Sequence, residues 1–225
     1  MNKWGICAIL LFGGLSPVLA VEAPPEAEGS VPSPVLSRAE QKLKENIFEV
    51  QLESGSLFNV SASKTTDDAT YLSQLVSLNW NLDGIGNDDV FYGWFRGNTQ
   101  WKFTAIATPL VNSDEHYFAG IAMGPQYNFV PPGSNWVPFL GARVGVGFTD
   151  SNSPPFGVIP GGQGQDFCFT FMVTAGVRYF IADDWSAALE LNFQHVSNGG
   201  LSEHQHNNHG YDLFGPQLSV LYSFD

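Results

Sequence analysis

The chain has 225 residues, a formal net charge of −13, only 14% charged residues and 14% aromatics. That acidic balance argues against a nucleic-acid partner and against simple attraction to an anionic surface. No stretch after the N-terminal segment reaches 18 uninterrupted apolar residues, so no helical membrane span is expected.

Residues 1–20 combine Lys3, an apolar run from Trp4, and Val18-Leu19-Ala20, which reads as a secretory signal peptide with its cleavage site. Cleavage there removes Cys7 and leaves Cys168 alone, so the exported chain has no intramolecular disulfide. Residues 21–46 form the next segment. Its first part is rich in Pro, Glu and Ser and is expected to be a disordered periplasmic tail, and 37–46 has the make-up for a helical turn or two.

From Ile47 the apolar pattern turns to period two and keeps it to the end, marking 47–225 as one β domain. Eight strands are predicted, over 47–61, 70–82, 89–103, 115–129, 136–149, 167–180, 185–197 and 211–224. One face is bulky, as with Leu140, Ala142, Val144, Val146 and Phe148 in the fifth strand. The other is small or polar, as with Gly141, Arg143, Gly145 and Gly147. A soluble sandwich shares such alternation. Three features favour an all-β, small antiparallel transmembrane barrel instead. Lys and Glu are scarce on the bulky face. Aromatics cluster at strand ends, among them Trp80, Trp101, Tyr127, Phe129, Trp136, Tyr179, Trp185 and Tyr222. Short turns at 83–88, 131–135 and 182–184 alternate with longer loops such as 150–166. Arg143, Arg178 and Glu190 fall on the inward face and are expected to form a charge network in a side-chain-filled interior.

His195 and Ser197 sit two apart near the end of the seventh strand, so both leave the same face as Trp185, Leu189, Leu191 and Phe193. A serine needs a neighbouring base to become a nucleophile at neutral pH, and this spacing supplies one. Asp212, at the start of the eighth strand, is in phase with the lipid-facing Phe214, Leu218 and Val220. Loop parity, with both termini in the periplasm, puts this corner at the outer leaflet of a Gram-negative outer membrane. On the residues alone two readings stand: an ionisable cluster placed in lipid for function, or polar residues marking where strand becomes wet loop.

The stretch from about Phe139 to Phe224 resembles the lipid A 3-O-deacylase (PagL) family of the acyloxyacyl hydrolase group. The resemblance rests on His195-Val196-Ser197-Asn198-Gly199, on Asn208-His209-Gly210-Tyr211-Asp212 and on the closing Tyr222-Ser223-Phe224. It implies Ser197 as nucleophile, His195 as general base and Asp212 at the place of the orienting acid, which is commonly Glu in the family. Asp is one methylene shorter; Glu203 and His209 are the fallback partners. Asn198, or backbone N–H groups at Gly199 and Gly200, are the oxyanion candidates. The implied activity is hydrolysis of the 3-O-linked acyl ester of lipid A in lipopolysaccharide, with no cofactor. Divalent cations are the expected bridge between an acidic chain and an anionic lipid. The competing reading is a non-enzymatic structural or interaction barrel that keeps a degenerate site, and the Asp at the acid position is the feature that favours it. His204, His206 and His209 with Glu203 have a spacing open to a transition metal, but a solvated polar loop is the favoured reading. The glycines around Gln163 are loop punctuation, because no strand-then-helix context supports a phosphate cradle.

Overall fold

A computed structural model describes residues 35–60, 69–113, 115–153, 157–158, 163–201 and 210–224. Residues 1–34, which hold the expected signal peptide and most of the tail, lie outside the described residues, as do 202–209 with Glu203, His204, His206 and His209.

Eight antiparallel strands close on themselves: β1 (Phe48–Asn59), β2 (Thr70–Asn81), β3 (Gly97–Val111), β4 (Tyr117–Phe129), β5 (Trp136–Phe148), β6 (Phe167–Phe180), β7 (Trp185–Ser197) and β8 (Tyr211–Phe224). Each pairs with its neighbour in sequence, and β8 returns to β1 with Phe48 opposite Phe224 and Phe58 opposite Phe214. Closure leaves the barrel itself no edge strand to template aggregation. At 12 to 15 residues, every strand is long enough to cross a bilayer at a tilt. The base of the barrel is the end where β1 begins and β8 ends; the rim is the opposite end, where β7 ends and β8 begins.

The alternation predicted from the sequence is the alternation observed. Ile121, Leu140, Val144, Phe148, Leu189 and Leu218 are each more than half exposed on the outer wall, while Gln126, Arg143, Thr174 and Glu190 are buried inside. Large rings fill the narrow interior where glycines make room: a Cβ on Gly147 would lie 2.6 Å from Phe118, and one on Gly176 2.6 Å from Phe139.

The interior has two halves. Toward the rim it is apolar, built from Leu57, Tyr71, Leu110, Phe118, Met172 and Leu213 among others. Toward the base it is ionic. Arg178 holds Glu49 through Nη1 and Nη2 at 2.9 and 2.6 Å. Arg143 grips both oxygens of Glu53 at 3.2 and 3.1 Å, with Lys102 Nζ at 3.3 Å. Glu190 accepts from Gln51 and Ser219. Arg143, Arg178 and Glu190 are thus inward, as expected; their partners are the carboxylates and amide of Glu49, Glu53 and Gln51 on β1 and the hydroxyls of Thr104, Thr174, Ser186 and Ser219. Such buried pairs are costly to break singly, because the remaining partner is left as an uncompensated buried charge.

One feature goes beyond the sequence reading and one departs from it. The helical turn expected within 37–46 is present and docked: α1 (Arg38–Lys42) starts in a capping box between Ser37 and Glu40. Ala39 and Leu43 pack on Val130, Val137 and Phe180 at the base. Arg96 holds Glu40 at 2.8 Å and Lys42 reaches Asp184 at 2.7 Å, pinning the helix there.

The third strand runs over 97–111 and not 89–103. Val90-Phe91-Tyr92-Gly93 forms a 3₁₀ turn in which Phe91 and Tyr92 have φ of 48° and 58°. Its aromatic content imitates a strand, but left-handed backbone cannot enter a ladder. The base connection 82–96 is consequently long and the rim connection 112–116 short, so loop length alternates less cleanly than the turn residues suggest.

Candidate active site

Backbone register builds the site. Asp212 of β8 is directly opposite His195 of β7, and on the other flank Phe171 is opposite His195 and Phe169 opposite Ser197. Directly opposed residues have Cβ atoms roughly 5 Å apart, and the Asp212 carboxylate covers the rest: Oδ1 lies 2.7 Å from His195 Nδ1. His195 Nε2 lies 3.0 Å from Ser197 Oγ. Acid, imidazole and hydroxyl therefore form one unbroken hydrogen-bonded sequence. The side chains of His195 and Asp212 are each 41% exposed, on the outer wall.

The surroundings are aromatic. Phe169, Phe171 and Phe214 flank the three residues on the same face, and Phe148, Phe167 and Phe169 form a chain of edge-to-face rings beside them. The hydroxyl consequently opens onto an apolar surface at the rim.

Two features that hold this corner escaped the sequence reading. A Cβ on Gly210 would come within 3.1 Å of His195 Cε1 and 3.3 Å of Ser197 Cβ. Glycine there leaves the imidazole its place. Its position two residues before Asp212 was the available signal.

The second feature is a buried tether beneath the turn that follows Ser197. Glu115 is fully buried and accepts from the backbone N–H of Gln163 at 2.7 Å. The carbonyl of Gln163 accepts from Asn198 Nδ2, and Asn198 Oδ1 accepts from the Gly200 N–H at 2.7 Å. Burial pushes the Glu115 carboxyl above the usual carboxylate range, and the nearby Asp150 adds to this, against hydrogen bonds from Gln163, Ser151 and Thr149.

The Asn198 amide is buried and bonded to Gln163, facing away from Ser197, and the Gly200 N–H is taken by Asn198. Of the oxyanion candidates, Gly199, with φ of 64° at the turn, is the one left by these bonds. No group of His, Cys, Asp and Glu suited to a metal occurs among the described residues.

A closed eight-stranded membrane barrel, with serine, histidine and aspartate in hydrogen-bonded sequence on its lipid-facing wall, has the make-up of an outer-membrane lipid hydrolase. The family described as Lipid A 3-O-deacylase (PagL) matches residues 72–220, and the chain belongs to that family. Membership gives lipid A deacylation as the general activity and the outer membrane as its place.

Among solved structures, that of the outer membrane enzyme PagL is 18% identical, with a TM-score of 0.49, covering 77% of this chain and 98% of its own. Neisserial surface protein A is 17% identical with the same TM-score, covering 79% and 97%. A de novo designed transmembrane β-barrel is 10% identical with a TM-score of 0.41. No curated protein sequence matches the chain.

Proposed function

We propose that the chain is a serine esterase that removes the 3-O-linked acyl chain of lipid A at the outer leaflet. The observation that carries this reading is the continuous sequence Asp212–His195–Ser197, at 2.7 and 3.0 Å, on a wall that faces lipid. His195 donates its Nδ1 proton to Asp212, which leaves Nε2 unprotonated to accept the Ser197 hydroxyl proton as Oγ attacks the ester carbonyl. In this reading the Gly199 backbone N–H is the donor to the developing oxyanion. Collapse of the tetrahedral intermediate expels the sugar 3-alkoxide, which takes the proton back from His195. Water, deprotonated by the same imidazole, then attacks the acyl-serine and releases a 3-hydroxy fatty acid.

These steps use only side chains, backbone and water, and no cofactor is assigned. With the termini in the periplasm the rim lies at the outer leaflet, where lipopolysaccharide resides. Divalent cations would bridge its phosphates to a chain of net charge −13. Mass spectrometry of lipid A from cells producing wild type or Ser197→Ala tests the reading. Wild type is expected to remove one 3-hydroxyacyl chain and the variant none, with folding checked by heat-modifiable gel migration. Deacylation by a folded Ser197→Ala variant would refute the serine mechanism.

A further inference from the structure

The base of the barrel carries an apolar surface that the proposed chemistry at the rim does not use. In the connection 82–96, Phe91, Tyr92 and Trp94 are 71%, 100% and 81% exposed, and Val90 and Phe95 are also open. Phe91 and Tyr92 adopt left-handed backbone, with Gly93 following at φ 81°. The chain accepts that strained geometry and turns its rings outward.

The stem of the connection packs on α1, with Ile85 against the cluster of Ala39, Leu43 and Phe180. Its aromatic tip is fastened to the outer wall. Asn87 Nδ2 donates to Tyr127 Oη at 2.9 Å, and that hydroxyl donates to the carbonyl of Phe95. A run of ring contacts then leads from the wall into the loop: Tyr127 to Phe129 at 5.0 Å, Phe129 to Phe95 at 6.1 Å and Phe95 to Phe91 at 5.5 Å. Tyr127 and Phe129 belong to the aromatic girdle at the base, together with Trp136 against Tyr179 and Trp185 against Tyr222. The exposed loop is an outgrowth of that girdle.

Between the loop and the wall runs a cleft of about 550 Å³, with Trp94 and Phe95 on one side and Pro131, Pro132 and Pro138 on the other. Arg96 lines it too, but its guanidinium is already bonded to Asp88, Glu40 and the carbonyl of Val130. The cleft thus presents apolar walls to the bilayer, with its cation already engaged by protein groups.

We propose that 87–96 is an interfacial membrane anchor. Phe91, Tyr92 and Trp94 insert among the phospholipids beside the base of the barrel, and the cleft takes an acyl chain. Continuity with the lipid-facing girdle selects this occupant, since anything filling the cleft lies along a wall that is itself in lipid. The engaged Arg96 makes binding a matter of acyl chains and not of headgroup charge.

The test uses the protein reconstituted in phosphatidylcholine vesicles, with or without phosphatidylglycerol, and with acyl chains brominated at defined depths. A variant whose only tryptophan is Trp94 is expected to emit blue-shifted fluorescence and to lose most of it to shallow bromines, equally in both lipid mixtures. Aqueous iodide should quench it little. Because that variant replaces several girdle tryptophans, Tyr92→Cys carrying a nitroxide provides a second reading at a fully exposed position. Its spin relaxation should respond to oxygen far more than to a water-soluble nickel chelate. Solvated emission quenched by iodide and untouched by bromolipid, or nickel accessibility at position 92, would overturn the proposal. So would a blue shift that disappears when protein is diluted in lipid, since a second copy would then be the cover.

Discussion

Two His–Asp pairs in this molecule have the same Nδ1 to carboxylate distance, 2.7 Å, and otherwise little in common. His195 and Asp212 sit on paired strands in direct register, with Ser197 Oγ 3.0 Å from the free ring nitrogen. His116 and Asp150 join two rim loops. There the ring is 78% exposed and Asp150 also accepts the His116 backbone N–H at 2.8 Å, closing a local clasp. A short contact between histidine and carboxylate therefore says nothing about chemistry by itself. What differs is the third group, and the stiffness of the elements that present all three.

The largest expected difference between the pairs is in catalysis. Ser197→Ala or His195→Ala should each lower deacylation roughly 10⁴-fold or more, since nucleophile and base act as a unit, measured as 3-hydroxy fatty acid released in micelles. Next comes Asp212→Asn, which keeps the shape but can hold the wrong imidazole tautomer, at a loss of roughly 10²- to 10⁴-fold. Asp212→Glu should stay active, because direct register leaves a longer side chain within reach. If Asn matched wild type, the two pairs would be equivalent and Asp212 would leave the mechanism.

Gly210→Ala should act more gently on the same imidazole. A methyl within 3.1 Å of His195 Cε1 must displace the ring by a few tenths of an ångström. A loss of roughly 10-fold in kcat, with KM nearly unchanged, follows from misplacing a general base. Unchanged kcat would mean that the imidazole has slack.

Much of this was legible in the sequence, and the reason is geometric. A barrel between lipid and a narrow interior imposes period two on every strand, so the opposite facing of Leu140 and Arg143 could be read from their neighbours, and the scarcity of charge on the bulky face said which side was lipid. The same rule placed His195, Ser197 and Asp212 on one wall. Whether the shorter acid reaches the ring was not legible, because that depends on the β7–β8 register. The partners of Arg143 and Arg178 were hidden likewise, since Glu53 and Glu49 meet them across the barrel. Phe91 and Tyr92 misled outright: aromatic side chains signal a strand, and only the backbone reveals a turn. The tether from Glu115 to Asn198 was invisible because loops of unrelated sequence position meet inside the rim.

That tether predicts a pH dependence. Burial raises the Glu115 carboxyl, so the native state holds its proton more firmly than the unfolded chain does. Its contribution is full below the usual carboxylate range and is lost as pH rises through the raised value. Glu115→Gln keeps an acceptor for the Gln163 N–H and cannot ionise. Thermal unfolding of the variant should therefore lose the part of the alkaline-side decline that belongs to Glu115. A stability profile parallel to wild type across that range would show that Glu115 is not the titrating group.

The smallest effect belongs to the second pair. His116→Ala removes the ring contact and leaves the backbone N–H on Asp150. Desolvation pushes the Asp150 carboxyl up, but the hydrogen bonds from the His116 backbone and ring outweigh it and hold it below the usual carboxylate range. A lowered acid contributes stability above its unfolded value and loses it as pH falls through the folded one. With the ring this exposed, the contribution at neutral pH is about 1 kcal/mol or less. Heat-modifiable migration at graded temperatures should thus shift slightly at neutral pH and not at all in acid, while deacylation stays at the wild-type rate. Loss of activity in a folded His116→Ala variant would make the rim clasp part of the site, and the contrast between the two pairs would collapse.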